Sequence, residues 1–321
     1  MSIVRVSASI LALSCTLAVP DAAAQAYPTR PVHIQTGGTG SVGDLISRLL
    51  GPKLSEKLGQ QVVVENRPSG AVLGGLVAKA APDGHTLLVS GNSFWLLPNF
   101  QQDVSWDPLR DFLPVSLLTS SPSVLVVHPS VPASNVKELI AYAKSRPGKV
   151  HWGSGPQGTA NYLAGEQFKI TTGLDIVRVP YKGVGQALND LIGGQFEMMF
   201  PVAGAMTPHL KAGRLRALAV SSAVPSALVP DLPTVAESGG LPGFESVSIV
   251  GMFVPAKTPA AIVNRLNTDI KPLLALSEMK GKLMGAGVEP VGTSPEQLTA
   301  IIKSDIDLVN RLQKQGAIQP E

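Results

Sequence analysis

Cysteine is nearly missing from this chain: Cys15 is the only one in 321 residues, and it lies inside an apolar run near the N-terminus. Once that run is removed as a leader, no thiol remains for a disulfide, a nucleophile or a thiolate metal site. Aromatic residues make up only 5% of the chain, which leaves few stacking platforms for single-stranded bases. Charged residues make up 15%, the net charge is +3 and no dense Lys/Arg block occurs, so nucleic acid is excluded as a partner. No apolar run reaches the roughly 20 residues that span a bilayer. Two catalytic signatures are absent as well. The five histidines are scattered without an H-E-x-x-H, and G-x-S-x-G does not occur, since Thr39 stands two residues before Ser41 and Trp152 two before Ser154. Carboxylates are sparse in the expected turns, so no acid/base pair, metal site or cofactor is assigned and an enzyme is not expected.

What is present begins with an export signal. Arg5 precedes an apolar stretch over residues 6–19, then Pro20 leads into "AAAQA", with cleavage expected after Ala24 or Ala26. Residues 1–26 are therefore expected to be removed. From residue 31 onward, strand-like and helix-like segments alternate. "VHIQ" precedes "DLISRLLGPKLSEKL", whose apolar Leu45, Ile46, Leu49, Leu50 and Leu54 have helical spacing, and Gly59 ends it. "QVVVEN" and "HTLLVSG" are strands around the helix "AVLGGLVAKA". A second unit runs from "SVLVVHP" to "LRALAVSS", followed by a Pro- and Gly-rich crossing segment and two amphipathic helices. The pattern predicts an α/β protein of two lobes with parallel sheets. Its expected divisions are 27–123 in domain 1, 124–221 in domain 2 and 222–321 in domain 1 again, so that the chain crosses twice between lobes with a ligand cleft between them.

Three strand-to-helix turns carry the chemistry. In the first, "GGTGSVGD", Gly38, Gly40 and Gly43 spell G-x-G-x-x-G after a strand and before a helix, and Glu65 closes the next strand. This spacing admits a nucleotide-dependent oxidoreductase as the alternative function. Export through a general signal argues for a different anion, because nicotinamide nucleotides are scarce outside the cytoplasm. Thr39, Gly40, Ser41, Val42 and Gly43 are expected to present N–H groups and a hydroxyl at a helix N-terminus, where a carboxylate is held as well as a phosphate, with Asp44 capping or bracing the turn. The second turn is "WGSGPQGTANYLAGE", with Ser154, Gly155, Gly158 and the capping Thr159. The third is "VSGNSFW", with Ser90, Asn92 and Ser93. Lys182 in "VPYKG" follows a strand and faces either the cleft or solvent.

The succession "YPTRPVHI", "LSEKLGQQVVVENRPSGA", "KAAPDGHTLL", "SWDPLRDFLPVSLL", "WGSGPQGTANYLAGE", "IVRVPYKGVGQALNDLIGGQFEMMF" and "DLPTVAESGGLPGFE" resembles the Bug-type solute receptors of tripartite tricarboxylate transporters. The resemblance runs from Tyr27 to about Ile318. It implies a type II periplasmic-binding-protein fold, with two α/β lobes joined by a two-segment hinge. It also implies a monomeric periplasmic receptor that closes on a small carboxylate and serves transporter membrane subunits or a sensor kinase. Carried over by position, the binding segments are residues 39–43, 90–93 and 154–159. Two departures stand out. The first turn is shorter than the Pro- and aromatic-containing family form. Pro201 in "MMFPV" also stands where the family commonly places an acid, which removes a partner for a substrate ammonium. The expected ligand is therefore a di-, tri- or aromatic carboxylic acid without a positive amino group.

Overall fold

The computed structural model describes residues 27–316 and 318, apart from Ser69. The expected leader lies outside the described residues. Among those residues no helix is long and apolar enough to cross a membrane.

Eleven strands form two sheets. They are β1 (Val32–Thr36), β2 (Val62–Asn66), β3 (Thr86–Gly91), β4 (Phe112–Pro122), β5 (Val124–Val127), β6 (Val150–Ser154), β7 (Ile176–Pro180), β8 (Met198–Met199), β9 (Arg216–Val220), β10 (Val247–Pro255) and β11 (Glu289–Pro290). The helices are α1 (Val42–Leu58), α2 (Ala71–Ala78), α3 (Asn92–Trp95), α4 (Leu97–Phe100), α5 (Val136–Lys144), α6 (Ala160–Thr172), α7 (Val184–Ile192), α8 (Ala203–Lys211), α9 (Val235–Gly239), α10 (Ala260–Leu274), α11 (Ser277–Gly285) and α12 (Pro295–Lys314). The first lobe carries the order β11-β4-β10-β3-β1-β2 and the second β7-β6-β8-β5-β9.

Local chemistry sets the ends of the elements. Ser41 caps α1 by accepting from the Asp44 N–H at 3.2 Å, and Gly59 ends the helix in the left-handed region at φ 67°. Between those ends Ile46, Leu50, Leu54 and Leu58 fall on one face at four-residue steps and are buried beside the sheet. α12 starts on a capping box of Ser294 and Gln297 with Pro295 in its first turn, and buries Leu298, Ile302, Val309 and Leu312.

The sheets are mixed rather than all parallel. β1 pairs in parallel with β2 and β3, and β6 with β7 and β8, as the alternation predicts. The strands next to the hinge run the other way: β10 is antiparallel to β3 and β4, and β5 to β8 and β9. The cause is the crossing itself. β4 carries the chain out of the first lobe and β10 brings it back, so the two lie side by side, from Val247 opposite Pro122 to Pro255 opposite Phe112.

The return crossing comes later than expected. Residues after 222 do not pass straight to the first lobe. α9, closed by a Thr234–Glu237 capping box, packs on second-lobe α5 and β9, where Val136 N–H donates to Ser238 Oγ at 3.2 Å. Phe244 stacks on Phe200 with centroids 6.1 Å apart. The chain re-enters the first lobe near Ser246. At the hinge Ser123 and Ser221 exchange bonds: Ser123 N–H donates to Ser221 Oγ at 2.9 Å and Ser221 N–H to the Ser123 carbonyl at 2.8 Å. Ser246 N–H in turn donates to the Ser221 carbonyl at 2.9 Å.

The lobes also touch away from the hinge. A Cβ on Gly204, in α8, would lie 2.5 Å from the first-lobe Gly287 Cα. Gly204→Ala is therefore expected to force the lobes apart and lower stability by about 1–3 kcal/mol in urea unfolding. The control is Gly185→Ala in α7, where a Cβ meets nothing within 4 Å; it should be neutral or slightly stabilising. Equal stability of the two variants would contradict this contact.

Candidate functional site

The first turn keeps its shape by using its own polar groups. Gly40 lies in the left-handed region at φ 84°, and its N–H donates to Asp44 Oδ2 at 3.0 Å. Asp44 Oδ1 receives Asn66 Nδ2 and Arg48 Nε, each at 2.8 Å. Burial pushes the Asp44 carboxyl up, but the bonds from Gly40 and Asn66 and the Arg48 charge outweigh it and hold the group below its ordinary value. Asp44 thus braces the turn, as expected. Ser41 N–H is spent on the Gly38 carbonyl at 3.1 Å, and the Ser41 hydroxyl on the helix cap. The N–H groups of Gly40, Ser41 and Asp44 are thus committed within the turn.

The three fingerprint glycines do different work. Gly38 and Gly40 face open space, whereas a Cβ on Gly43 would lie 2.6 Å from Thr36 Oγ1 and 3.3 Å from the Val89 carbonyl. Gly43 lets the helix start sit on the ends of β1 and β3, which is a packing role. Glu65, the acid at ribose distance in sequence, is committed sideways. It meets His33 Nδ1 at 2.7 Å and Gln35 Nε2 at 3.1 Å and pairs with Arg67. The bonds from Gln35 and His33, with that of Arg67, hold its carboxyl below the ordinary range.

Three cavities have walls from both lobes: a rear one behind the hinge, and two set by the strand-to-helix turns. The smaller, about 280 Å³, sets Val42 of the first turn against Val202, Gly204 and Ala205, with Ser121 and Ser248 from the hinge strands. The larger, about 570 Å³, sets Ser93, Leu97 and Phe100 of the first lobe against Pro156, Gly158, Arg178, Tyr181 and Lys182 of the second. Gly158, at φ 76°, allows the lobes to meet here, since a Cβ on it would lie 3.1 Å from Phe100 Cε2. Phe100 also sits edge-on to Tyr162, with centroids 6.2 Å apart.

The expected residues divide between these places. Val42 lines the small chamber; Ser93 and Gly158 line the large one. Thr39, Gly40 and Ser41 are exposed at the first turn, and Ser90 is half-buried within β3. Asn92 belongs elsewhere. Its Oδ1 accepts from Ile249 N–H at 2.8 Å, and its Nδ2 reaches the Val247 carbonyl and Asp305 Oδ2, each at 3.2 Å. It therefore fastens β10 and α12 and lines a rear cavity of about 450 Å³ behind the hinge. Pro201 is buried at the hinge, its carbonyl accepting from Val124 N–H at 2.8 Å. Thr159 occupies the N-cap position of α6, yet its hydroxyl lies 2.6 Å from both the Pro156 carbonyl and Asn161 Oδ1, so it caps the helix by position and not by its side chain.

Ser154 and Gly155 act through a residue that the sequence reading passed over. Arg178 Nε donates to Ser154 Oγ at 2.7 Å and Nη2 to the Gly155 carbonyl at 3.1 Å, while the guanidinium lies 4.5 Å from the Tyr162 ring centroid. Strand alternation could have pointed to it, because Arg178 interrupts the apolar run of β7 two residues before the turn. Tyr181 Oη donates to Asp190 Oδ2 at 2.8 Å, and its phenol is pushed up to about 12 by burial and by Asp190.

Charge separates the cavities. No described Asp or Glu lines either turn-lined chamber, and Arg178 and Lys182 enter no ion pair among the described residues. The rear cavity is lined by Glu245, Glu289 and Asp305 against Arg311 alone, which disfavours an anion there.

This two-lobed frame has known counterparts. Residues 46–318 match the family described as "Tripartite tricarboxylate transporter family receptor". The chain belongs to that family. Bordetella pertussis Protein BugT is 35% identical over 288 residues, covering 88% of each chain. The solved structure of R. palustris Rpa4515 with adipate is 33% identical with a TM-score of 0.76, covering 92% of this chain and 100% of that one. MatC (Rpa3494) from Rhodopseudomonas palustris with bound malate is 29% identical with a TM-score of 0.69, covering 88% of this chain and 100% of that one. The expected Bug-type, two-lobed receptor fold is thereby borne out.

One buried acid on α6 lacks a full set of partners among the described residues. Glu166 on α6 is only 5% exposed, and its Oε2 has no hydrogen-bond partner. Burial pushes its carboxyl up, offset in part by the charges of Lys169 and Arg178. A carboxyl raised in the folded state binds more protons there than in the unfolded chain, so stability falls as pH rises from the ordinary Glu value through the folded one. Glu166→Gln is expected to raise the melting temperature at about pH 8 and to lose most of that advantage by about pH 4. A gain that grew toward acid pH in a thermal melt series would contradict the burial of an ionised Glu166.

Proposed function

We propose that this receptor, exported to the periplasm, captures a small organic carboxylate between its lobes and hands it to the membrane subunits of a tripartite tricarboxylate-type transporter. The observation that carries this reading is electrostatic: the two turn-lined chambers hold Arg178 and Lys182, which enter no ion pair among the described residues, and no described carboxylate lines either chamber. A cavity of that charge, with partly apolar walls, favours an acid with a hydrocarbon body. The adipate and malate in solved relatives support the same class. Binding then shifts the open and closed populations by as much as the acid prefers the closed one. The receptor needs no reacting group for this and performs no catalysis.

The absence of an acid from the chamber walls bears on selectivity. An α-amino acid would bring an ammonium with no anionic partner and would leave its charge beside Arg178. The preferred ligands are therefore di-, tri- or aromatic carboxylates without an amino group. In a thermal-shift panel, an acid at 100 times its dissociation constant should stabilise the receptor by about 2.7 kcal/mol. Aspartate and glutamate should have little effect. Tight binding of those two amino acids, with none of the simple or aromatic acids, would overturn the proposal.

A further inference from the structure

The two chambers are chemically different. The small one offers Val42 at the start of a 17-residue helix and otherwise small or apolar side chains. The large one offers a guanidinium, an ammonium and the apolar faces of Leu97, Phe100 and Pro156.

Arg178 is built as a receptor group and not as a structural ion pair. Its fork is fixed from two sides, by Ser154 Oγ on Nε and the Gly155 carbonyl on Nη2, and it is held flat against Tyr162. Nη1 makes no hydrogen bond among the described residues. Among the described residues no acid forms an ion pair with the group: the buried Glu166 is close enough to feel its charge but makes no salt bridge to it, and Asp190 receives the Tyr181 hydroxyl. A guanidinium already ordered by its neighbours gives up less side-chain freedom when it binds a carboxylate, and its planar donors match the carboxylate's two oxygens.

We infer that Arg178 anchors a carboxylate of the ligand in the large chamber, with Ser154 as its positioning residue and Lys182 as a second, weaker cation. This rests on the carboxylate-receptor reading given above. The hydrocarbon body of the ligand lies against Phe100 and Leu97.

The test is titration calorimetry of the full receptor with adipate, monomethyl adipate and benzoate, each also measured against Arg178→Gln, Arg178→Lys, Ser154→Ala and Lys182→Met. A charged hydrogen bond of this kind corresponds to roughly a 10- to 100-fold change in affinity. Arg178→Gln should weaken the tightest of the three probes by that factor and reduce its salt dependence. Arg178→Lys should recover part of the loss, because it restores the charge without the fork. Ser154→Ala should cost about 3- to 10-fold through a loosened Arg178, and Lys182→Met no more than that. Wild-type receptor that binds none of the probes would remove the carboxylate reading itself. Tight wild-type binding that Arg178→Gln leaves unchanged would remove only the anchor. Should Arg178→Gln fail to fold, a crystal structure of the wild type with adipate decides: a carboxylate within about 3 Å of Nη1 supports the anchor, and one held wholly at residues 39–43 overturns it.

Discussion

Everything in this molecule depends on three buried serines where the chain passes between lobes. A crossing strand must leave one sheet and enter another, and at the gap its backbone groups lose their ladder partners in a place that water does not reach. Ser221 supplies the missing partners. It bonds Ser123 on the outgoing segment through both side chain and backbone, and it accepts from Ser246 on the returning one. Its own hydroxyl is held by the Ser246 carbonyl, and Ser246 Oγ reaches the Ala160 carbonyl at 3.0 Å to fix the start of α6. The hinge is therefore defined by hydrogen bonds in which small serine hydroxyls and backbone groups serve the backbone of the crossing segments.

The same crossing accounts for the mixed sheets and for the charge pattern around them. β4 and β10 lie antiparallel because one leaves and the other returns, and behind them α12 and the segment before β10 enclose the acidic rear cavity. On the other side the turns of the two lobes wall two separate chambers, one of them holding the β7 cation Arg178.

Much of this was legible in residue order. Alternating segments predicted the α/β lobes, Gly59 marked the end of the first long helix, and Asp44 was expected to cap or brace its turn, of which it does the second while Ser41 caps. The quoted motifs identified the family. What failed did so for particular reasons. The parallel rule broke where strands cross between lobes, because pairing there follows the hinge and not the β-α-β unit. The segment after residue 222 looked extended because its one short helix hides between Pro and Gly, yet a Thr–Glu capping box marks it. Asn92 was placed in the cleft by its turn, but its side chain faces the opposite side of the sheet.

The glycine fingerprint shows where the boundary falls. By itself the sequence determined that a strand enters a tight turn and leaves as a helix, since only glycine tolerates φ near 84° at residue 40 and the close approach at residue 43. It also determined the family. Which donors remain bare was decided only by tertiary structure, because Asp44 and Gly38 consume two of them through contacts that depend on the folded turn. The same holds for the second turn. Sequence singled out Ser154, but folding laid β7 beside β6, with Arg178 opposite Trp152, and set the guanidinium on that hydroxyl. Side chains on neighbouring strands meet through register, and register is a property of the sheet and not of either segment alone.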